Sequence, residues 1–165
     1  RGRIQHQLRR LCVGLHPLPA SKGLSAEADH LRLCRGRTFR RVADVWSKYD
    51  FIFCHVKATD SRGEDGDFDA KVAVIETVDK ALPTLLDLKP NVLIITGDHS
   101  TPATFKAHTW HPVPTLLYAP GTHMPDRAQS FGERECMGGA LGQFYAVDLM
   151  PMALAHARRL EKYGA

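Results

Sequence analysis

No two of the four cysteines, Cys12, Cys34, Cys54 and Cys136, form a C-x-x-C pair. Their scatter argues against a structural zinc knot and for a reducing compartment, with a cytoplasmic location expected. Long apolar runs are missing too: nothing approaches the roughly 18 residues that a membrane-spanning helix needs. The arginines at the start are not followed by an apolar stretch of the kind a secretory signal carries. Aromatics make up only 8% of the chain, and Phe39 is the only one in the first 41 residues. That first segment holds ten basic residues against Glu27 and Asp29, a net charge of +8, while the remainder carries −4. A basic arm without interleaved aromatics reads as a solvated surface rather than a nucleic-acid platform, so a nucleic-acid partner is not expected.

What is present fits one globular domain with a core: 165 residues, 44% hydrophobic and 24% charged. Two textures divide it. Residues 1–37 are irregular, punctuated by Pro, Gly and Ser, with short helices expected at residues 8–13 and 26–33. From Thr38 to residue 165 the periodic signals are strong. Phe39, Val42, Val45 and Trp46 recur at helical spacing, with Thr38 as an N-cap. "FIFCHV" at residues 51–56 reads as a buried strand, and the Asp- and Gly-rich "KATDSRGEDGD" reads as a loop. A helix is expected to open at Asp67 and to present Val72, Ile75, Val78, Leu82 and Leu85 or Leu86 inward, interrupted at Pro83. "NVLIIT" and "VPTLLYA" are the next strands. A Gly-rich stretch then leads to a final helix capped by Asp148, with Leu149, Met152, Leu154, Ala155 and Leu160 inward. Near-continuous apolar strands alternating with helices predict an α/β fold, a mixed and mostly parallel sheet flanked by helices.

In such folds chemistry gathers beyond the carboxyl ends of strands. Here those places carry Asp60, Glu64, Asp65 and Asp67, then Asp98 and His99. His108 and His111 stand at the entry to the third strand, so they reach the same edge only if their loop folds back. Mixed carboxylate and imidazole donors suit Mn²⁺, Mg²⁺ or Zn²⁺. The plainer alternatives are that the aspartates form turns and a cap, that His111 packs, and that His55 is a core histidine. His6, His16, His30, His123 and His156 have no company that suggests ligation.

The stretches "HVKATDSRGEDGDFDAKVAVIETVD", "ITGDHSTPA" and "HTWHPVP", with the closing "DLMPMALAHARRLEKYGA", resemble the C-terminal metal-binding motifs of the 2,3-bisphosphoglycerate-independent phosphoglycerate mutases. The similarity is to the archaeal-type branch, within the alkaline phosphatase superfamily. It implies an alkaline-phosphatase-like sheet and a glycolytic enzyme that moves a phosphoryl group between the 3- and 2-hydroxyls of glycerate through a phosphoserine. It also implies two divalent ions, Mn²⁺ or Mg²⁺ before Zn²⁺: Asp60, His108 and the residue at position 64 on one, Asp98 and His99 on the other. Lys57 would lie near the phosphate, although a solvated lysine is the plainer reading.

Two departures stand out. The family pattern has a histidine where this chain has Glu64. Residues 1–41 match neither the family's first strand, with its metal-binding Asp, nor its nucleophilic serine, and the cap domain is not recognisable. The expectation is a C-terminal metal-binding part of a mutase core at residues 38–165, preceded by an unmatched basic segment and inactive in isolation. The alternatives are a metal-dependent phosphohydrolase of the same superfamily and a non-catalytic metal-binding remnant. Phosphoglycerate is the substrate expected of the full-length enzyme.

Overall fold

The computed structural model describes residues 37–121 and 125–160. The basic segment and the two short helices expected within it lie outside these residues, apart from Arg37. The described residues fall into two compact units, one of residues 37–89 with Thr101–Ala107, the other of Pro90–Ser100 with residues 108–160.

The first unit is helical. Helix α1, Arg37–Val45, buries Phe39 and Val42, one turn apart, and ends in a 3-10 turn at Trp46–Lys48. Thr38 lies inside α1 rather than capping it. Helix α2 is Ala58–Asp65, α3 is Phe68–Ala81 and α4 is Pro83–Leu86. Helix α1 packs on α4, and α2 packs on α3. Asp67 caps α3 as its sequence suggests, accepting a hydrogen bond from the Ala70 N–H at 2.9 Å. Pro83 interrupts the run at the first position of α4, where its missing N–H costs nothing.

Three expectations are corrected in this unit. "KATDSRGEDGD" is largely helix α2, not a loop. It is held at its start by the Thr59 hydroxyl donating to the Val56 carbonyl at 3.0 Å and at its end by an Arg62–Asp65 ion pair at 3.0 Å. Gly66 stops it with a positive φ of 75°, which glycine adopts without strain. Helix α3 buries Val74, with Val78 half-buried, while Val72 and Ile75 join Phe68 on an exposed face. It carries two apolar faces, and periodicity cannot say which one receives a neighbour. Residues 51–56 form no ladder among the described residues. A strand exists only through pairing, which no apolar run guarantees by itself.

The second unit holds the only strands among the described residues, β1 (Leu93–Ile95) and β2 (Leu116–Tyr118). They pair antiparallel, Leu93 opposite Tyr118 and Ile95 opposite Leu116. The α/β class therefore holds, but the sheet of the described residues is a two-stranded antiparallel pair, not a mostly parallel sheet. The connection doubles back instead of crossing over, and a returning chain can only pair antiparallel. Thr96 and Thr115 continue the pairing through their hydroxyls, 2.8 Å apart. Beyond them the ladder breaks, because Pro112 and Pro114 have no N–H to donate. It resumes as a single bridge between Ser100 and Thr109. Helix α5, Glu133–Met137, and helix α6, Leu149–His156, complete the unit. Asp148 stands at the start of α6 without a capping bond, and Leu160 falls beyond its end. No helix of the described residues is long and apolar enough to cross a membrane.

Burial pushes the Cys54 thiol up to about 11. The folded chain thus keeps this proton through the range where an ordinary thiol, near 8.5, loses it. Its contribution to stability is present below that ordinary value and is lost as pH rises through about 11. At pH 8, alkylation of Cys54 by iodoacetamide should run more than about tenfold slower in the folded chain than in urea, since the thiolate is the nucleophile. Peptide mapping by mass spectrometry reads this out, and equal rates would contradict the burial.

Candidate functional site

The sequence-derived donors form one group in each unit. In the first unit, α2 carries Asp60 and Glu64 one turn apart, so both side chains leave the same helix face. Asp60 is buried, at 9% exposure, whereas Glu64 is exposed. One Asp60 oxygen, Oδ1, accepts the Thr101 hydroxyl at 2.5 Å, and the other, Oδ2, pairs with the Lys57 ammonium. Lys57 is therefore an ion-pair partner of a proposed ligand, not a solvated surface lysine.

Thr101 is the residue that sequence reasoning misses. It is 4% exposed, and besides binding Asp60 it accepts the Lys71 ammonium of α3 on its main-chain carbonyl at 2.5 Å. That carbonyl lies against Gly63, where a Cβ would come within 2.2 Å of the oxygen. Glycine inside α2 is thus a packing requirement. The signals are present in "RGED" and "HSTPA": a glycine within charged helix formers, and a threonine fixed by the proline after it.

In the second unit, Asp98 and His99 follow β1. The His99 N–H donates to Asp98 Oδ1 at 3.1 Å, and Asp98 Oδ2 lies 3.6 Å from His99 Nε2. Across the Ser100–Thr109 bridge, His99 and His108 are diagonal neighbours, and their ring centroids stand 3.8 Å apart. The fold-back on which the histidine placement depends therefore occurs, and it comes from the antiparallel return. His111 is held separately: its Nδ1 lies 2.8 Å from the Thr109 hydroxyl, its ring stacks on Trp110, and its carbonyl accepts the Ser100 hydroxyl at 3.2 Å. His55 stacks near Phe53, with ring centroids 6.4 Å apart.

The donor chemistry suits divalent cations. A carboxylate offers about four lone-pair positions, so Asp60 retains acceptor capacity beside Thr101.

Comparison with known proteins agrees with this chemistry. Residues 25–156 match the metalloenzyme superfamily, and the chain belongs to that superfamily. It is 50% identical over 163 residues to a "Probable 2,3-bisphosphoglycerate-independent phosphoglycerate mutase" of Thermosipho africanus, covering 96% of this chain and 40% of that protein. A protein of the same description from Thermus thermophilus is 50% identical over 153 residues, 93% of this chain and 36% of the relative. Among solved structures, the PH0037 protein from Pyrococcus horikoshii is 37% identical with a TM-score of 0.72, over 78% of this chain and 39% of that one. The chain thus spans about 40% of the length of such relatives. The resemblance seen in the motifs is borne out by these matches.

Gly63→Ala should destabilise the chain, although alanine is the better helix former by about 1 kcal/mol. A Cβ 2.2 Å from the Thr101 carbonyl forces a shift costing roughly 1–3 kcal/mol. A urea midpoint that rises in the variant would show that the close approach is not real.

Proposed function

We propose that this chain carries the metal-binding machinery of a 2,3-bisphosphoglycerate-independent phosphoglycerate mutase, whose substrate in the full-length enzyme is phosphoglycerate. The observation that carries the reading is the 50% identity with the Thermosipho protein across the segments that hold every proposed donor. On this reading Asp60, Glu64 and His108 hold one divalent ion, and Asp98 and His99 hold a second. Carboxylates outnumber imidazoles in that set, which favours Mn²⁺ or Mg²⁺ over Zn²⁺. When bound, two such ions acidify an attacking hydroxyl and neutralise charge on a transferring phosphoryl group.

The chain's own residues do the holding. The Ser100–Thr109 bridge keeps His99 beside His108, and the Asp98 main-chain contact keeps its carboxylate beside His99. Lys57 compensates the Asp60 carboxylate. None of the serines is assigned as nucleophile, so metal binding and turnover separate in the isolated chain. In the full-length protein the sheet would be the mostly parallel one of the alkaline-phosphatase fold, in a cytoplasmic enzyme.

Titration with Mn²⁺, followed by electron paramagnetic resonance, should show saturable binding. Asp98→Asn and His99→Ala should each weaken it by more than about tenfold. The 165-residue chain should not interconvert 3- and 2-phosphoglycerate in a ³¹P NMR assay. Failure to bind Mn²⁺ would remove the metal reading, and turnover would show that this chain supplies its own nucleophile.

A further inference from the structure

We propose that Thr101 is a positioning residue of the metal site, fixing the Asp60 carboxylate in the orientation a divalent cation requires; the inference rests on the metal-binding reading above. A carboxylate on a helix can turn about its Cβ–Cγ bond, and that torsion is soft. A hydroxyl donated to one oxygen removes the freedom, and the Thr101 bond to Oδ1 is short at 2.5 Å. Such a bond orients the carboxylate only if the hydroxyl itself cannot move, and Thr101 is held on three sides. Its carbonyl takes a charge-assisted bond from Lys71 at 2.5 Å. Its backbone fills the space left by the missing side chain of Gly63. Pro102 restricts its main chain to extended conformations. Its side chain is almost wholly out of water, so solvent does not compete for the bond.

The hydroxyl and the methyl of Thr101 make separable contributions. The hydroxyl orients Asp60, whereas the methyl packs near Gly63. Thr101→Val keeps the shape and loses the donor, and Thr101→Ser keeps the donor and loses the methyl. Outer-shell partners of metal ligands typically govern about 10- to 100-fold in affinity.

The test is Mn²⁺ affinity of the full 165-residue chain by calorimetry, with the metal-free thermal midpoint of each variant measured alongside. Thr101→Val should bind Mn²⁺ about 10- to 100-fold more weakly, and Thr101→Ser within about threefold of the parent. Asp60→Asn serves as the reference for loss of the ligand itself. If the parent binds Mn²⁺ and Asp60→Asn loses it, but Thr101→Val binds as tightly as the parent, the positioning role is wrong while the functional reading stands. If Thr101→Ser loses as much affinity as Thr101→Val, the effect is packing and the proposal is overturned. Should Thr101→Val fail to fold, Thr101→Ala replaces it, with the same loss required. A parent chain that does not bind Mn²⁺ overturns both readings together.

Discussion

A carboxylate held at 9% exposure loses most of its water and must be compensated, and Asp60 imposes that condition on its whole unit. The compensation is explicit. An ammonium reaches one oxygen and a buried hydroxyl the other. The hydroxyl requires Thr101 to sit close on α2, which in turn requires Gly63 to be bare. The Thr101 carbonyl, buried by the same approach, needs its own donor and takes Lys71 from α3. Lys57, Gly63, Lys71 and Thr101 are thus committed by one charge. This explains why a helix with little apolar surface of its own is nevertheless well placed.

The imidazole group answers a different constraint. Had the β1–β2 register run on unbroken, His99 would stand opposite Pro112, four residues from His108 and out of ring contact. Here Pro112 and Pro114 end the regular ladder, and three residues separate Thr96 from Ser100 while five separate Thr109 from Thr115. The two extra residues let the return strand bulge before it pairs again. The resumed bridge then sets His99 and His108 diagonally, close enough for their rings to meet. The prolines in "HPVP" therefore act on the site through what they cannot do, which is to donate to a ladder.

Residue types and motif spacing mark the proposed donors in the sequence. Asp60, Asp98, His99 and His108 announce themselves because few loops need so many ligating side chains together. The architecture is less legible, for identifiable reasons. Asp, Ser and Gly favour turns in general, so the α2 stretch reads as a loop. Its helical state depends on Thr59, the Arg62–Asp65 pair and the Thr101 contact, which reaches Asp60 from 41 residues away in sequence. Helix α3 offers two apolar faces, and only a neighbour can choose between them. The apolar runs at residues 51–56, 93–95 and 116–118 look alike, yet pairing direction and partner are properties of the connections, not of the runs. Thr101 escapes notice because a threonine before a proline usually signals a turn.

Glu64 follows from the same physics. It leaves α2 on the same face as Asp60, one turn further on, where the family pattern has a histidine. Exchanging a neutral imidazole for a carboxylate adds a negative charge to that face. Glu64 is exposed, whereas Asp60 is buried against Lys57 and Thr101. The two carboxylates therefore differ in what an incoming cation would find. At Glu64 it would meet an exposed carboxylate. At Asp60 it would compete with an ammonium already in place. In the proposed site the affinity of this half is then a difference between two cations at one carboxylate, with Glu64 supplying the extra negative charge that favours the doubly charged one. A hard, oxygen-seeking ion gains most from that exchange, which is why the Glu64 departure fits a manganese or magnesium site better than a zinc one.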